Sequence, residues 1–355
     1  MDTGAIYHHL TPQTYMRAWK HRKSSVYVVD KGKNDLGQSR NTGKFGGIKH
    51  YHSIRAGSLV YSEQDCQDFF QPLEKYTIEI DGEVVNNQLD MNKMFFEFDK
   101  WNIRDSSGNI VSEQIKKSLK SSILSIIKKD IEVGWDRKYE NYWNSINQDI
   151  TNGIFLNANS ISQNHLMKAI KRDELIKFMV SLEWRTKPYH PELQKALDNT
   201  LRNDFLGIDF KLIQIPEGER LYPFLETLYD EYAHSYILKL YREFLAGKGI
   251  IMDEAKKFID ESSIVFYIAP KDGEFITSDN PVCRFTNLEG KIEYIFPLNP
   301  KVACAVLKGT QKEHYVLSYL SKDKLVYYNK KLKDNCNKGY IIREQNRELY
   351  FGDEK

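Results

Sequence analysis

The chain has 355 residues, of which 41% are hydrophobic, 28% charged and 13% aromatic, an apolar share that excludes wholesale disorder. Its longest unbroken apolar runs, at 264–269 and 302–307, are six residues each, too short to span a bilayer. A net charge of +2, from 51 basic against 49 acidic residues, gives no bulk attraction to nucleic acid, although it leaves room for a local basic groove.

Met1-Asp2-Thr3-Gly4 carries neither the basic nor the apolar region of a secretory signal. Cys66, Cys283, Cys304 and Cys336 lie far apart without a Cys-x-x-Cys pair, and the chain has no Asn-x-Ser/Thr sequon. A reducing cytoplasm is the expected location, and no membrane partner is expected.

In chain order, Thr11-Pro12 reads as an N-cap followed by proline at the first helical position, opening a short helix through Trp19. Residues 26–29 form a strand, and 30–47, with five glycines, a loop. A helix is expected over 65–76, and 86–107 has no clear period. From residue 112 the spacing becomes helical, with Ile115, Leu119, Ile123, Ile126 and Ile127 on one apolar side. A second helix carries Trp135, Tyr139, either Tyr142 or Trp143, Ile146 and Ile150. Further helices are expected over 162–187, with a break near Asp173, and over 221–245, stopped by Gly247 and Gly249. Beyond residue 262 the pattern changes to short strands at 264–268, 275–277, 292–296, 302–306 and 340–343, with Pro, Gly and Asn between them. A helix over 322–337 is set among them. The fold class is therefore α+β: a mostly helical middle with a C-terminal, largely antiparallel sheet. It is taken as a single compact domain over 1–355, with subregions 1–111, 112–262 and 263–355.

Common catalytic motifs are missing. Residues 37–44 imitate a phosphate-binding loop, but the glycine spacing is wrong and Phe45 replaces the hydroxyl that would bind Mg²⁺. The sequence has no His-Glu-x-x-His, Gly-x-Ser-x-Gly or Gly-x-Gly-x-x-Gly. Asp209-Phe210-Lys211, in a strand-like run, has the Asp-x-Lys form of a nuclease fragment but fits an amphipathic strand better. Arg185 and His190 have the spacing of a helical ribonuclease motif, which Pro188 interrupts.

Several polar residues fall where apolar ones are expected. His9 precedes the Thr11-Pro12 helix start, where the positive helix end favours a neutral imidazole. His8, His21, His50 and His52 crowd the same segment, and His50-x-His52 would face one side of an extended chain as a metal clip. Glu132, Asp136 and Glu140 recur every four residues, either as a stripe for Mg²⁺ or Mn²⁺ or as a solvated helix face. Arg185 lies on the apolar side of its helix and needs a carboxylate or an anion, which leaves an ion pair with Glu140 and a substrate site both open. Asn329 interrupts the Leu325, Leu332, Cys336 stripe, either to hold a loop or to meet a ligand. Ser278-Asp279-Asn280-Pro281 follows a strand and suits a turn cap and a site equally.

These residues carry a resemblance. The chain is similar to the mostly bacterial family known as domain of unknown function 4238. The similarity begins with His9-x-x-Pro12-x-x-Tyr15-Met16-x-x-Trp19 and Val26-Tyr27-Val28, then Glu132, Glu140-Asn141-Tyr142-Trp143 and Arg185. It continues through Phe275-Ile276-Thr277-Ser278-Asp279-Asn280-Pro281-Val282, Phe296-Pro297-Leu298-Asn299-Pro300 and Asn329. Met16 and Trp19 depart from the Leu and Phe of that pattern, and the segment from about residue 76 to residue 129 is not placed within it. The resemblance implies that His9, Glu140, Arg185, Asp279, Asn280 and Asn329 share one scaffold, and it names no reaction.

Together these features lead to an expected nuclease-like hydrolase of a phosphodiester or other anionic ester. His9, Glu140, Arg185 and Asp279 would be its reacting groups, Ser278, Asn280 and Asn329 would bind substrate, and Mg²⁺ or Mn²⁺ would assist. By analogy with other such families, it would serve as an effector in defence against phage. The alternatives are a sensor or scaffold that binds protein or nucleic acid without catalysis, and a nucleotide-binding protein.

Overall fold

The computed structural model describes residues 7–33, 35–53, 56–57, 63–126, 130–158, 165–186, 194–195, 197–199, 209–220, 222–287 and 289–352. Helix accounts for 47% and strand for 23%, with antiparallel and mixed sheets in the C-terminal half, which makes the fold α+β. Contacts group the chain into two compact units, each drawn from three stretches: 1–8, 49–134 and 189–246 in the first, and 9–48, 135–188 and 247–355 in the second. These bounds cut across the subregions 1–111, 112–262 and 263–355. Among the described residues no helix is long and apolar enough to cross a membrane.

The first unit contains a three-stranded antiparallel sheet in the order Glu83–Val84, Thr77–Ile80, Asn102–Arg104. Residues 86–107, which show no period in the sequence, form the helix Gln88–Lys93, a 3-10 segment Phe95–Lys100 and the last of these strands. Phe70, Phe95, Phe98 and Trp101 pack together there, with the rings of Phe98 and Trp101 4.9 Å apart. The expected helix over 65–76 is an α-helix, Glu63–Phe70, continued as the 3-10 turn Gln71–Leu73. In the helix Glu113–Ile126, Leu119 and Ile123 are buried but Ile115 is exposed, and Ile127 lies outside the described residues.

The last helix of this unit is Leu228–Leu245, seven residues shorter at its start than the period suggests. Thr227 accepts the amide of Asp230, while the Asp230 carboxylate accepts the amide of Thr227, so a capping box fixes the start. Asp209-Phe210-Lys211 is not a strand. Asp209 caps a 3-10 turn by accepting the Lys211 amide, and the Lys211 ammonium pairs with Asp198 at 3.0 Å. His190 and Pro188 lie outside the described residues.

The second unit is built on two sheets. The smaller is antiparallel in the order Thr277–Ser278, Gly339–Ile342, Ser25–Asp30, Gln38–Asn41. The larger runs Cys283–Thr286, Ile292–Asn299, Val302–Lys308, Ser262–Ile268, His314–Tyr319, Leu166–Lys168, with a single parallel pairing between the fourth and fifth strands. Residues 30–47 are thus not simply a loop. Gln38–Asn41 is an edge strand, and its wholly polar sequence gives no alternation to read. Gly37 enters it at φ 75°, where a Cβ would come within 3.0 Å of the Val28 carbonyl oxygen.

Within this unit, Pro12 rather than Thr11 is the N-cap of the helix Gln13–Met16, which runs on as the 3-10 turn Arg17–Trp19. The hydroxyl of Tyr15 meets that of Thr277 at 2.6 Å and donates to the carbonyl of Pro297. Its ring lies 5.3 Å from that of Phe296 and 5.8 Å from Trp143, and Trp143 stacks on Phe178 at 4.2 Å. Trp143, not Tyr142, therefore takes the buried position left open by the spacing.

The described part of 162–187 divides into the edge strand Leu166–Lys168 and the helix Arg172–Thr186. A further helix, Ile250–Glu261, buries Ile251, Met252 and Ala255. Arg172 donates to the carbonyls of Ile259 and Ser262 at the C-terminal end of that helix, where carbonyls lack intrahelical partners.

Candidate functional site

In the second unit Arg185 is buried and holds three groups at once. Its Nη1 donates to Glu140 Oε1 at 2.9 Å, its Nη2 to the carbonyl of His9 at 2.5 Å, and its guanidinium lies 4.7 Å from the Trp135 ring centre. The ion pair with Glu140 is therefore the arrangement present, with a cation–π contact beneath it.

Glu140 closes a π-helical turn, Asp136–Glu140. That wider turn breaks the four-residue period, so Glu132, Asp136 and Glu140 do not act as one stripe. Glu132 bonds to His52 in the first unit, Asp136 is exposed, and Glu140 serves Arg185.

Asp279 ends the strand Thr277–Ser278. Its two carboxylate oxygens accept the amides of Asn337 and Lys338 at 2.9 and 2.7 Å, and its carbonyl accepts the Thr11 hydroxyl. Burial pushes its carboxyl above the usual range, against the downward pull of those amides.

Asn280 accepts the Thr186 hydroxyl and donates to the carbonyl of Asn335, while its own amide donates to the Ser278 hydroxyl. Thr11 and Thr186 thus tie the Asp279–Asn280 turn to the chain segments that carry His9 and Arg185. Asn329 belongs to a separate group: it accepts the Ile276 amide and donates to the carbonyls of Glu274 and Tyr350. The fold brings His9, Glu140 and Arg185 together and gives Asp279, Asn280 and Asn329 backbone partners.

A different group forms in the first unit. His8 comes from the strand Tyr7–His9, His52 from the turn closed by the Ser53 amide on the His50 carbonyl, and Glu132 from the helix Asp130–Trp135. The His52 backbone amide donates to His8 Nδ1 at 2.6 Å, and the two rings stack 5.5 Å apart. His52 Nδ1 shares a short hydrogen bond with Glu132 Oε1. One donor atom from each of the three residues lies within 4.8 Å of the others. Both imidazoles are buried, whereas the Glu132 side chain is 26% exposed, so the group opens to solvent on its carboxylate side.

Aromatic rings surround these histidines. Tyr241 meets the His52 ring edge-on at 5.7 Å, and buried His234 bonds to the Tyr51 carbonyl at 2.7 Å. His50 does not join His52 as a clip. It adopts φ 61°, which takes it out of the extended form that would align the two rings, and it stacks on Tyr222. His21 stacks on Tyr27 and bonds to Ser39, both in the second unit. The spacing pairs His52 with His50, whereas the structure sets it beside His8 and Glu132. No sequence interval links residues 8, 52 and 132, and only the histidine content of the first segment marks the region.

The family described as "Protein of unknown function (DUF4238)" matches residues 7–351, and the chain belongs to that family. No curated protein and no solved structure matches the chain.

Proposed function

We propose that this family member is a nuclease-like hydrolase of phosphodiesters or other anionic esters, with its proton-transfer chemistry at His52 and Glu132. The observation that supports this reading is the hydrogen bond between His52 Nδ1 and Glu132 Oε1. His52, whose Nε2 is buried, orients the Glu132 carboxylate through Nδ1, and that part-exposed carboxylate is the group placed to take a proton from attacking water. The part-exposed carboxylate gives the pair a side open to solvent. His9, Glu140, Arg185 and Asp279 then act as the frame. The four cysteines are all buried thiols, which fits a reducing cytoplasm. A role in defence against phage belongs to the same proposal.

The test is incubation of the untagged chain with RNA, single-stranded DNA and duplex DNA, with and without divalent ions. His52→Gln and Glu132→Gln are expected to lower cleavage by about 10²–10⁴-fold, and Thr14→Ser, outside the pair, to leave it unchanged. Wild-type protein inert toward all three substrates overturns the nucleic-acid reading.

A second reading has an observation of its own. Asp279, Asn280 and Asn329 make buried bonds to backbone groups, as scaffold residues do. In that reading the chain binds a protein or nucleic-acid partner without chemistry, and pull-down of intact RNA or DNA by a catalytically inert protein supports it.

A further inference from the structure

We infer that His8, His52 and Glu132 form a binding site for a divalent transition metal of the zinc type, in place of the Mg²⁺ or Mn²⁺ expected from the carboxylate stripe. The inference shares residues with the proposed hydrolase but does not depend on its reaction.

Three features of the site carry it. The donors are two imidazoles and one carboxylate, a set that suits Zn²⁺, Co²⁺ or Ni²⁺, whereas Mg²⁺ prefers an all-oxygen shell with several waters. The donor atoms already lie within 4.8 Å of one another. Ligands about 2.0–2.2 Å from a common tetrahedral centre stand about 3.4 Å apart, so the hydrogen-bonded His52 Nδ1 and Glu132 Oε1 must move apart by side-chain rotation to admit an ion between them. Finally, the three residues come from a strand, a turn and a helix separated by 44 and 80 residues. A metal would therefore fasten three distant stretches of the first unit.

The existing bonds show what metal binding must replace. An ion entering between His52 Nδ1 and Glu132 Oε1 takes the place of their shared proton, and ligation through His8 Nδ1 displaces the His52 backbone amide. Alternatively, Glu132 keeps its bond to His52 Nδ1 and orients Nε2 toward the ion, the usual role of a carboxylate behind a ligating histidine. Both arrangements use the same three residues. In the first arrangement three protein ligands would leave a fourth tetrahedral position for water or substrate, and in the second, with Glu132 behind His52, two positions stay open.

The test uses untagged, full-length protein stripped with a chelator and titrated separately with Zn²⁺, Co²⁺ and Mg²⁺. The readouts are calorimetry, bound metal per chain by mass spectrometry, melting temperature, and the visible absorption of tetrahedral Co²⁺. Expected are one equivalent of Zn²⁺, a raised melting temperature, a Co²⁺ band that Zn²⁺ removes, and no comparable effect of Mg²⁺. Glu132→Gln and His8→Gln should each weaken Zn²⁺ binding by about 100-fold. Because His8 is buried, circular dichroism confirms its fold, and the part-exposed Glu132→Gln supplies the independent arm.

No Zn²⁺ binding, equal binding of Mg²⁺, or Zn²⁺ binding unchanged in folded variants overturns the inference. Metal binding without hydrolysis sinks the hydrolase reading alone. Hydrolysis without metal binding sinks this inference alone.

Discussion

In the second unit, buried polar side chains bond largely to the main chain: Arg185 to the His9 carbonyl, Asp279 to two amides, and Asn329 to one amide and two carbonyls. In the first unit, His52 and Glu132 bond side chain to side chain, while His8 stacks on the same imidazole and accepts the His52 backbone amide. The difference bears on chemistry. A side chain that satisfies buried backbone groups cannot release them without a large penalty, so its partners are fixed by the fold. The His52–Glu132 pair can exchange its shared proton for a ligand without releasing a backbone group, whereas ligation through His8 Nδ1 releases one amide. Both units contain buried polar residues, and the first sets two imidazoles and a carboxylate with one donor atom of each within 4.8 Å of the others.

The strongest way to break this comparison is to disturb Arg185. Removing the guanidinium leaves Glu140 and the His9 carbonyl without their bonds to it, so Arg185→Ala should destabilise the protein by about 3–5 kcal/mol in urea unfolding. Arg185→Met combined with Glu140→Gln should lose less than Arg185→Ala, because no uncompensated charge remains. A near-neutral Arg185→Ala would mean that the second unit does not depend on this frame.

Asn329 comes next. Asn329→Leu deprives one amide and two carbonyls of their buried partner and should cost about 3 kcal/mol. Asn329→Asp keeps the acceptor for Ile276 but turns an oxygen toward the Glu274 and Tyr350 carbonyls, so it should cost at least as much. If Asn329→Asp were well tolerated, Asn329 would be meeting something other than the backbone.

What the sequence could disclose follows from which forces act locally. Five of the strands beyond residue 262 are readable because Pro, Gly and Asn separate short apolar runs, whereas Cys283–Thr286 and His314–Tyr319, with polar residues among the apolar ones, are not. Leu166–Lys168 is not readable, since a three-residue edge strand has no period to detect. The helix Ile250–Glu261 does carry a signal, with Ile251, Met252 and Ala255 at helical spacing after Gly249 at φ 83°.

For the site, an interrupted apolar stripe correctly marks Arg185 and Asn329 as buried polar residues in need of partners. It cannot say whether those partners are substrate or main chain, because both satisfy the same atoms. The π-turn at Asp136–Glu140 defeats the carboxylate stripe, since one extra residue in a turn rotates everything after it. The group of His8, His52 and Glu132 is assembled purely by tertiary contact, and such groups leave no trace in spacing.

The smallest expected effect is the one that sharpens the comparison most. Glu132→Gln removes a charge from a side chain that is 26% exposed, and its amide oxygen can still accept from His52 Nδ1. Without metal, its stability should fall by about 1 kcal/mol or less, the difference between a charged and a neutral acceptor. In saturating Zn²⁺ the gap should widen, because ligand binding stabilises only the form that binds, by an amount set by metal concentration over dissociation constant. Unfolding curves with chelator and with Zn²⁺ therefore measure the same substitution twice. A gap that grows with metal identifies a side chain held for what it binds. An equal gap would make Glu132 a strut like Arg185, and the contrast between the two units would disappear.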